Sequence, residues 1–279
     1  MRLSAHDWEM ALRPELGGSI LALHHAGRPV LRPAGADAAR PLDSACFPLV
    51  PYANRIANGR FTDAGASYDL PRNFGADHPH SLHGTGWLRA WRVVEQTTDS
   101  AVLAHDHAGD EHWPWPFAAR QRFTLAPGGV TIDLSVQSRA DRPVPAGLGL
   151  HAYFPCDAAT RLCFTAEQAW LADADDLRTD AAPVDRFGDW HKGAPVQGDT
   201  LIDNSYSGWD GRARITQRDH VLHIAAAGAP DCHLYRPPEG GFFCLEPVSH
   251  LPDAINREGM PLLGPGATLD LRLTLTIEA

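Results

Sequence analysis

The chain has no run of apolar residues long enough to span a bilayer, so it offers no candidate for a membrane helix. Its first residues, MRLSAHDWEM, place Asp7 and Glu9 where a signal peptide needs a continuous apolar segment. Clusters of Lys and Arg are also missing, and a chain of 279 residues with a net charge of −10 repels the phosphates of nucleic acid. We therefore expect a cytoplasmic protein that binds neither membrane nor nucleic acid.

Cysteine is scarce, and its spacing is irregular. The five cysteines contain no C-x-x-C pair; they are Cys46, Cys156, Cys163, Cys232 and Cys244. An odd number without this spacing argues against both a disulfide framework and a zinc site. We expect reduced thiols, most of them buried in the core.

The sequence also has no long amphipathic helix, internal repeat or low-complexity tract. Instead, apolar and polar residues alternate with a period of two in much of the chain. The segments VTIDLSV (130–136) and TLDLRLTLTI (268–277) alternate apolar and polar residues, which is typical of half-buried strands. The 25 glycines and 23 prolines are spread along the chain as turn residues rather than gathered in a linker. The pattern predicts an all-β fold, a large antiparallel β-sandwich, in a single domain covering residues 1–279.

Two early stretches carry polar groups suited to binding. In FPLVPYANRIANGRF (47–61), Arg55 offers a planar fork of donors that suits hydroxyl or carboxylate groups. The same pattern is equally consistent with an ordinary surface arginine. In HPHSLHGTGW (78–87), His78 and His80 would share one face of a strand, and the three histidines match metal spacing only weakly. His83 precedes Gly-Thr-Gly, where the backbone can approach a ligand, and we interpret it as a neutral partner of a hydroxyl group.

Three later stretches supply titratable groups. His151 lies in LGLHAYFP (148–155), where it could be a packed core residue, a metal ligand or a proton donor. Asp203 in LIDNSYSGWDG (201–211) could hold a pyranose beside Trp209, or could only form an Asx turn. Glu246 ends the apolar segment FFCLE, so it must be either paired or poised in a cleft with a raised pKa.

The five stretches, taken in order, resemble the aldose 1-epimerase (galactose mutarotase) family. The likeness extends from PELGGSILAL (14–23) to LLGPGATLDLRLTLTI (262–277). It implies the β-supersandwich of galactose mutarotases, with His151 as the general acid, Glu246 as the general base, and Arg55, His83 and Asp203 as sugar-binding residues. The segment LHAYFP departs from the Asn-His-Ser-Tyr-Phe-Asn type of better-studied members, which indicates a divergent branch.

The resemblance implies an isomerase that interconverts the α and β anomers of a free aldohexose such as galactose or glucose. Ring opening and closure need only an acid and a base, so we expect no metal and no other cofactor. A small-molecule sugar would be the partner, bound by a monomer or homodimer.

Three alternatives stay open at this stage. A hexose-6-phosphate 1-epimerase would need a basic pocket, to which Arg55 and Arg60 could contribute. A non-catalytic sugar-binding module would not need both His151 and Glu246. A glycosidase would normally use two carboxylates rather than a histidine and a glutamate.

Overall fold

The computed structural model describes residues 1–75, 78–238 and 240–278. The strands in the first half of the chain are Arg2–Ala5 (β1), Trp8–Arg13 (β2), Ser19–His25 (β3), Arg28–Pro29 (β4), Cys46–Leu49 (β5), Arg55–Ile56 (β6), Arg60–Asp63 (β7), Ala66–Asp69 (β8), Ser81–Leu82 (β9), Arg92–Gln96 (β10), Ser100–His107 (β11), Phe117–Ala126 (β12) and Gly129–Ser138 (β13). The strands in the second half are Val144–Pro145 (β14), Gly149–Pro155 (β15), Arg161–Phe164 (β16), Gln168–Ala172 (β17), Arg178–Ala182 (β18), Ala194–Pro195 (β19), Ile202–Ser207 (β20), Arg212–Thr216 (β21), Val221–Ala227 (β22), Asp231–Arg236 (β23), Phe242–Val248 (β24), Leu262–Leu263 (β25) and Thr268–Glu278 (β26).

Helical structure in the described ranges is confined to single turns of 3₁₀-helix. These turns are Pro41–Asp43, Ala57–Gly59, Gly86–Leu88, Trp190–Lys192 and Ala254–Asn256. None of the helices in the described part of the chain has the length and apolar character needed to cross a membrane.

Two large antiparallel sheets make up most of the described structure. The larger sheet has the order β1-β2-β3-β5-β15-β24-β23-β20-β17-β18, with β4 paired to β3. The second has the order β10-β11-β12-β13-β26-β22-β21-β16-β19. The predicted all-β antiparallel fold is therefore confirmed, and the tight turn at Pro127 and Gly128 joins β12 to β13.

The core follows from the alternation along the strands. Val130, Ile132, Leu134 and Val136 of β13 are all buried, while the residues between them are only partly covered. Side chains from both large sheets join one hydrophobic cluster that runs from Leu3 to Leu275 in the chain. Burial of this apolar surface, at about 25 cal/mol per Å², is the main favourable term for the fold.

Four neighbouring strands of the larger sheet, β15, β24, β23 and β20, have a second face with different chemistry. One face carries apolar residues that join the core cluster, for example Leu150, Leu234 and Leu245. Since successive side chains of a strand point to opposite faces, the intervening positions point away from that core. Those positions hold His151, Tyr153, Asp203, Ser205, His233, Tyr235, Cys244 and Glu246.

Candidate functional site

A pocket of about 400 Å³ opens on this second face. All five residues predicted from the sequence line it: Arg55, His83, His151, Asp203 and Glu246. Residues that are widely separated in the sequence therefore converge on one pocket. The lining also includes Arg32, Leu42, Asn54, Phe74, Leu82, Tyr153, Asp176, Leu201, His233, Tyr235 and Phe242.

The centre of the pocket is a contact between His151 and Glu246. They lie on the paired strands β15 and β24, and His151 Nε2 is 3.3 Å from Glu246 Oε1. His151 is 8% exposed and Glu246 is 2% exposed. Among the described residues, neither Glu246 Oε2 nor His151 Nδ1 has a hydrogen-bond partner, so both groups retain capacity for a ligand.

Burial shifts the acidity of the two groups in opposite directions. Burial and the nearby charge of His233 lower the pKa of His151 to about 3. Burial raises the pKa of Glu246 to about 7. A neighbouring carboxylate favours a charged imidazole, but loss of solvation has the larger effect here. At neutral pH the imidazole is uncharged, and the carboxyl group holds or releases a proton readily.

Beside this pair, a hydrogen-bonded chain crosses strands β20 and β23. His233 Nδ1 is 2.8 Å from Ser205 Oγ, and His233 Nε2 is 2.5 Å from Asp203 Oδ1. Although burial alone would raise the pKa of Asp203, the hydrogen bond from His233 and the charge of Arg55 keep it low. Burial opposes the charged form of His233, yet the hydrogen bond to Asp203 raises the pKa of that imidazole. Asp203 is thus a carboxylate at neutral pH, fixed in one orientation.

Arg55 is held at the pocket by two carboxylates. Its Nη2 atom is 3.0 Å from Asp176 Oδ2 and 3.2 Å from Asp203 Oδ2. Nη1 donates to the side-chain oxygen of Asn54, 3.2 Å away. Asp176 comes from the turn between β17 and β18 and is more exposed than Asp203, so it lies toward the pocket mouth.

His83 is oriented by the backbone. The amide of Asn54 donates to His83 Nδ1 at 3.0 Å, which leaves Nε2 as the protonated nitrogen of the neutral ring. Burial lowers the pKa of His83 well below its ordinary value, and this supports the predicted neutral state. Gly84, at φ +71°, allows the close approach to Val50, because a Cβ atom there would lie 2.4 Å from the Val50 carbonyl oxygen.

Aromatic rings form the remaining walls. Phe47 stacks on the His151 ring at a centroid distance of 4.5 Å and limits its rotation. The Arg32 guanidinium carbon lies 3.9 Å from the Tyr153 ring centroid and 4.4 Å from that of Phe242. Arg32 also donates to the backbone oxygens of Leu42 and Ser44, so it braces the wall.

Several local expectations from the sequence were wrong. Trp209, expected beside Asp203, packs in the core, and Asp203 lies within strand β20, which removes the alternative of an Asx turn. His78 and His80 precede the two-residue strand β9, so they do not share a strand face. His80 Nδ1 accepts a hydrogen bond from the amide of Asn58, which ties it to the neighbouring turn.

The sequence reasoning missed His233, Asp176 and Arg32. His233 had a usable signal, because DCHLYR alternates buried apolar and polar residues immediately before the strand that carries Glu246. Asp176 had none: it sits in the acidic segment LADADDL, where nothing distinguishes it from Asp173 or Asp175.

The comparison with known families decides the classification. The family model for aldose 1-epimerase matches residues 2–276. The chain belongs to the aldose 1-epimerase family. Escherichia coli K12 has an uncharacterised protein, YphB, that is 34% identical over 277 residues, which is 94% of this chain and 93% of that one. The aldose 1-epimerase of Escherichia coli K12 is 25% identical over 186 residues, covering 63% of this chain and 52% of that protein.

Solved structures agree with this assignment. A candidate aldose 1-epimerase from Escherichia coli K12 has a TM-score of 0.90 and 31% identity, covering 99% of this chain and 98% of that chain. A galactose mutarotase-like protein from Clostridium acetobutylicum has a TM-score of 0.86 at 20% identity, covering 99% of this chain and 94% of that chain. The first supports the family as well as the fold, and the second supports the fold.

Proposed function

We propose that the protein is an aldose 1-epimerase that interconverts the α and β anomers of a free, neutral aldohexose. The observation that carries the proposal is the buried His151–Glu246 contact of 3.3 Å in a pocket lined with sugar-binding groups. The ring oxygen and the O1 hydroxyl of a pyranose are attached to the same carbon atom. An acid and a base must therefore stand side by side to reach both, as these two groups do.

The pair works as a unit with one transferable proton. In the resting pair Glu246 holds the proton more tightly than His151 does, and the reactive form arises when that proton passes to His151 and leaves Glu246 as a carboxylate. His151 donates to the ring oxygen, Glu246 removes the proton from O1, and the C1–ring-oxygen bond breaks to give the open aldehyde. After rotation about the C1–C2 bond, Glu246 returns its proton to O1 and His151 recovers one from the ring oxygen. Each group contributes about a hundred- to ten-thousand-fold by general acid–base catalysis.

The surrounding groups orient the sugar. Asp203 is a fixed acceptor, and His83 Nε2–H and Arg55 are fixed donors. Tyr153, Tyr235 and Phe242 offer ring faces for the C–H groups of a pyranose. Correct orientation of the reacting groups can lower the barrier by several kcal/mol.

The charges favour a free sugar over a sugar phosphate. Arg55 already pairs with Asp176 and Asp203, and Arg32 is engaged by carbonyl oxygens and aromatic rings. Arg60, which the sequence suggested as a further cation, is exposed and pairs with Asp69 instead. A phosphate group would have to compete with these partners and approach three carboxyl groups, which opposes its binding.

Polarimetry on freshly dissolved α-galactose, α-glucose and their 6-phosphates, with a chelator present, tests the proposal. We expect at least one free hexose to reach anomeric equilibrium faster than in buffer. Faster equilibration of the 6-phosphates alone would show the phosphate-specific enzyme instead. Saturable sugar binding with mutarotation at the buffer rate would show a binding module.

The proposed function also includes a cellular location. We propose that the enzyme acts in the cytoplasm, where a reducing environment keeps thiols free. All five cysteines are unpaired in the structure, and three of them are fully buried. Fractionation of the native cell with an immunoblot against the protein would check this location.

A further inference from the structure

We propose that the bottom of the pocket is also a site for a thiophilic divalent cation, best matched by Zn²⁺, held by His151, Cys244 and Glu246. One ring nitrogen, the sulfur atom and one carboxylate oxygen of these residues lie within 4.8 Å of one another. Because the cation would occupy the proposed acid–base pair, it would act as a reversible inhibitor. That inhibitory effect rests on the proposed function, whereas the binding itself does not.

The strands fix the three donors on one face. Cys244 and Glu246 are two residues apart on β24, so both side chains point to the same side of the sheet. His151 lies on the paired strand β15, where Tyr153 is the direct partner of Cys244. The donors are thus presented by the rigid centre of the sheet rather than by loops.

The spacing suits a small cation with tetrahedral ligands. His151 Nε2 and Glu246 Oε1 are 3.3 Å apart. Two such atoms bound to the same Zn²⁺ at about 2.0–2.2 Å stand about 3.3 Å apart in tetrahedral geometry. The cation therefore needs little movement of the imidazole and the carboxylate, and the sulfur, which lies within 4.8 Å of both, would supply the third ligand after a small inward shift.

The donor set selects the kind of metal. A thiolate, an imidazole and a single carboxylate suit Zn²⁺ and its soft relatives rather than Mg²⁺ or Ca²⁺, which require several oxygen ligands. Glu246 is 2% exposed and its Oε2 atom has no hydrogen-bond partner among the described residues. A thiolate and a carboxylate together balance the charge of the cation, which a buried site requires. The remaining ligand position would face the pocket.

A substitution of Cys244 can test metal binding without removing either member of the acid–base pair. Its thiol is buried behind the acid–base pair and has no step in the proton transfers. Cys244→Ser removes the soft donor while preserving size. Cys163→Ser is the matched control, because Cys163 is a partly exposed thiol close to His191 and would reveal adventitious metal binding.

Direct binding is measured first. Metal-free protein is dialysed against Zn²⁺, and the bound zinc per protein chain is measured. A second sample of metal-free protein is titrated with Cd²⁺ while the ultraviolet charge-transfer absorbance of the cadmium–thiolate bond is recorded. We expect one equivalent of metal and a saturable cadmium–thiolate band in the wild type and in Cys163→Ser. The band should be lost in Cys244→Ser. A folded wild-type protein that gives no such band, or a band lost only in Cys163→Ser, overturns the site without relying on the Cys244 variant.

Inhibition is measured second by polarimetry. We expect Zn²⁺ to abolish mutarotation, a chelator to restore it, and Cys244→Ser to require at least ten-fold more Zn²⁺ for the same inhibition. Equal Zn²⁺ sensitivity of the wild type and Cys244→Ser would contradict the role of the thiol. Metal binding by a protein without epimerase activity would instead leave the site standing and refute the proposed function.

Discussion

At the scale of single residues, the substitution Glu246→Gln distinguishes a role of Glu246 in proton transfer from a role in packing alone. Glutamine keeps the size of the side chain but cannot accept the O1 proton at neutral pH. We expect kcat to fall at least about a hundred-fold with a much smaller change in KM. Polarimetric kinetics beside a thermal melt provide the measurement. A folded variant with near wild-type kcat would end the proposed mechanism.

His151→Asn belongs with that variant in a double-mutant cycle. The two groups lie 3.3 Å apart, and in the proposed mechanism they share one proton, so neither would work without the other. We expect the single variant to lose kcat strongly and the double variant to lose less than the product of the two. Strict multiplicativity of the two losses, measured as kcat ratios, would show that the groups act independently.

His233 offers a test of positioning rather than of proton transfer. His233→Gln replaces the ring that bridges Ser205 Oγ and Asp203 Oδ1 with a flexible amide that does not hold both hydrogen bonds in place. Loss of a hydrogen bond to a charged group costs about 1.5–3 kcal/mol, so we expect KM to rise at least about ten-fold. The loss in kcat should be smaller than for Glu246→Gln.

Ser205→Ala is the matched partner of that substitution, since it removes only the second hydrogen bond of the imidazole. We expect it to raise KM less than His233→Gln does. Both variants need a melting temperature near that of the wild type for the comparison to hold. Unchanged KM in a folded His233→Gln protein would show that the chain from Ser205 to Asp203 does not support binding.

At the scale of elements, the loop that carries His83 depends on Gly84. A methyl group at this position would meet the Val50 carbonyl oxygen at 2.4 Å, and φ is +71°. Gly65 also has positive φ, +81°, but nothing lies within 4 Å of its Cβ position. Left-handed geometry costs alanine about 1–2 kcal/mol at either site, and only Gly84→Ala adds the clash.

We therefore expect Gly84→Ala to lower the melting temperature more than Gly65→Ala and to raise KM as His83 shifts. Gly65→Ala should leave KM unchanged, because the β7–β8 turn is not part of the pocket lining. Calorimetry and polarimetry on the two proteins make the comparison. Equal effects of both substitutions on KM would contradict the positioning role of this loop.

The elements also show how far the sequence predicted the site. The roles of His151 and Glu246 could be proposed only because their stretches, taken in order, resemble the motifs of the aldose 1-epimerase family. Trp209 was misplaced because it lies beyond the end of β20, after Gly208 with its φ of +65°, and packs in the core rather than on the face that carries Asp203. The pairing of Arg55 with Asp176 joins residues 121 positions apart, and local pattern carries no information on such contacts.

At the scale of the whole molecule, stability should depend on pH through Glu246. Its pKa is about 7 in the folded protein and 4.5 ordinarily, so the folded state binds this proton more tightly than the unfolded state. The associated stability is present below pH 4.5 and is lost as pH rises through about 7. This difference in pKa corresponds to about 3 kcal/mol in the free energy of unfolding, at 1.36 kcal/mol per pKa unit.

Glu246→Gln removes this contribution, so the variant should gain stability relative to the wild type as pH rises from 5 to 8. Denaturant unfolding at both pH values measures the difference, and Glu9→Gln, at an exposed position, is the control. A difference between Glu246→Gln and the wild type that stays constant over this range would show that the carboxyl group is not protonated more readily in the fold.

The two faces of strands β15, β24, β23 and β20 have a further consequence for how this protein can diverge. Leu150, Leu234 and Leu245 pack the larger sheet against the core, while the alternate positions of these strands line the pocket. The two sets have different neighbours, because successive side chains of a strand point to opposite faces of the sheet. Under the proposed function, natural or laboratory selection can therefore change the sugar preference through the pocket-facing residues while the core-facing residues keep the sheet in place.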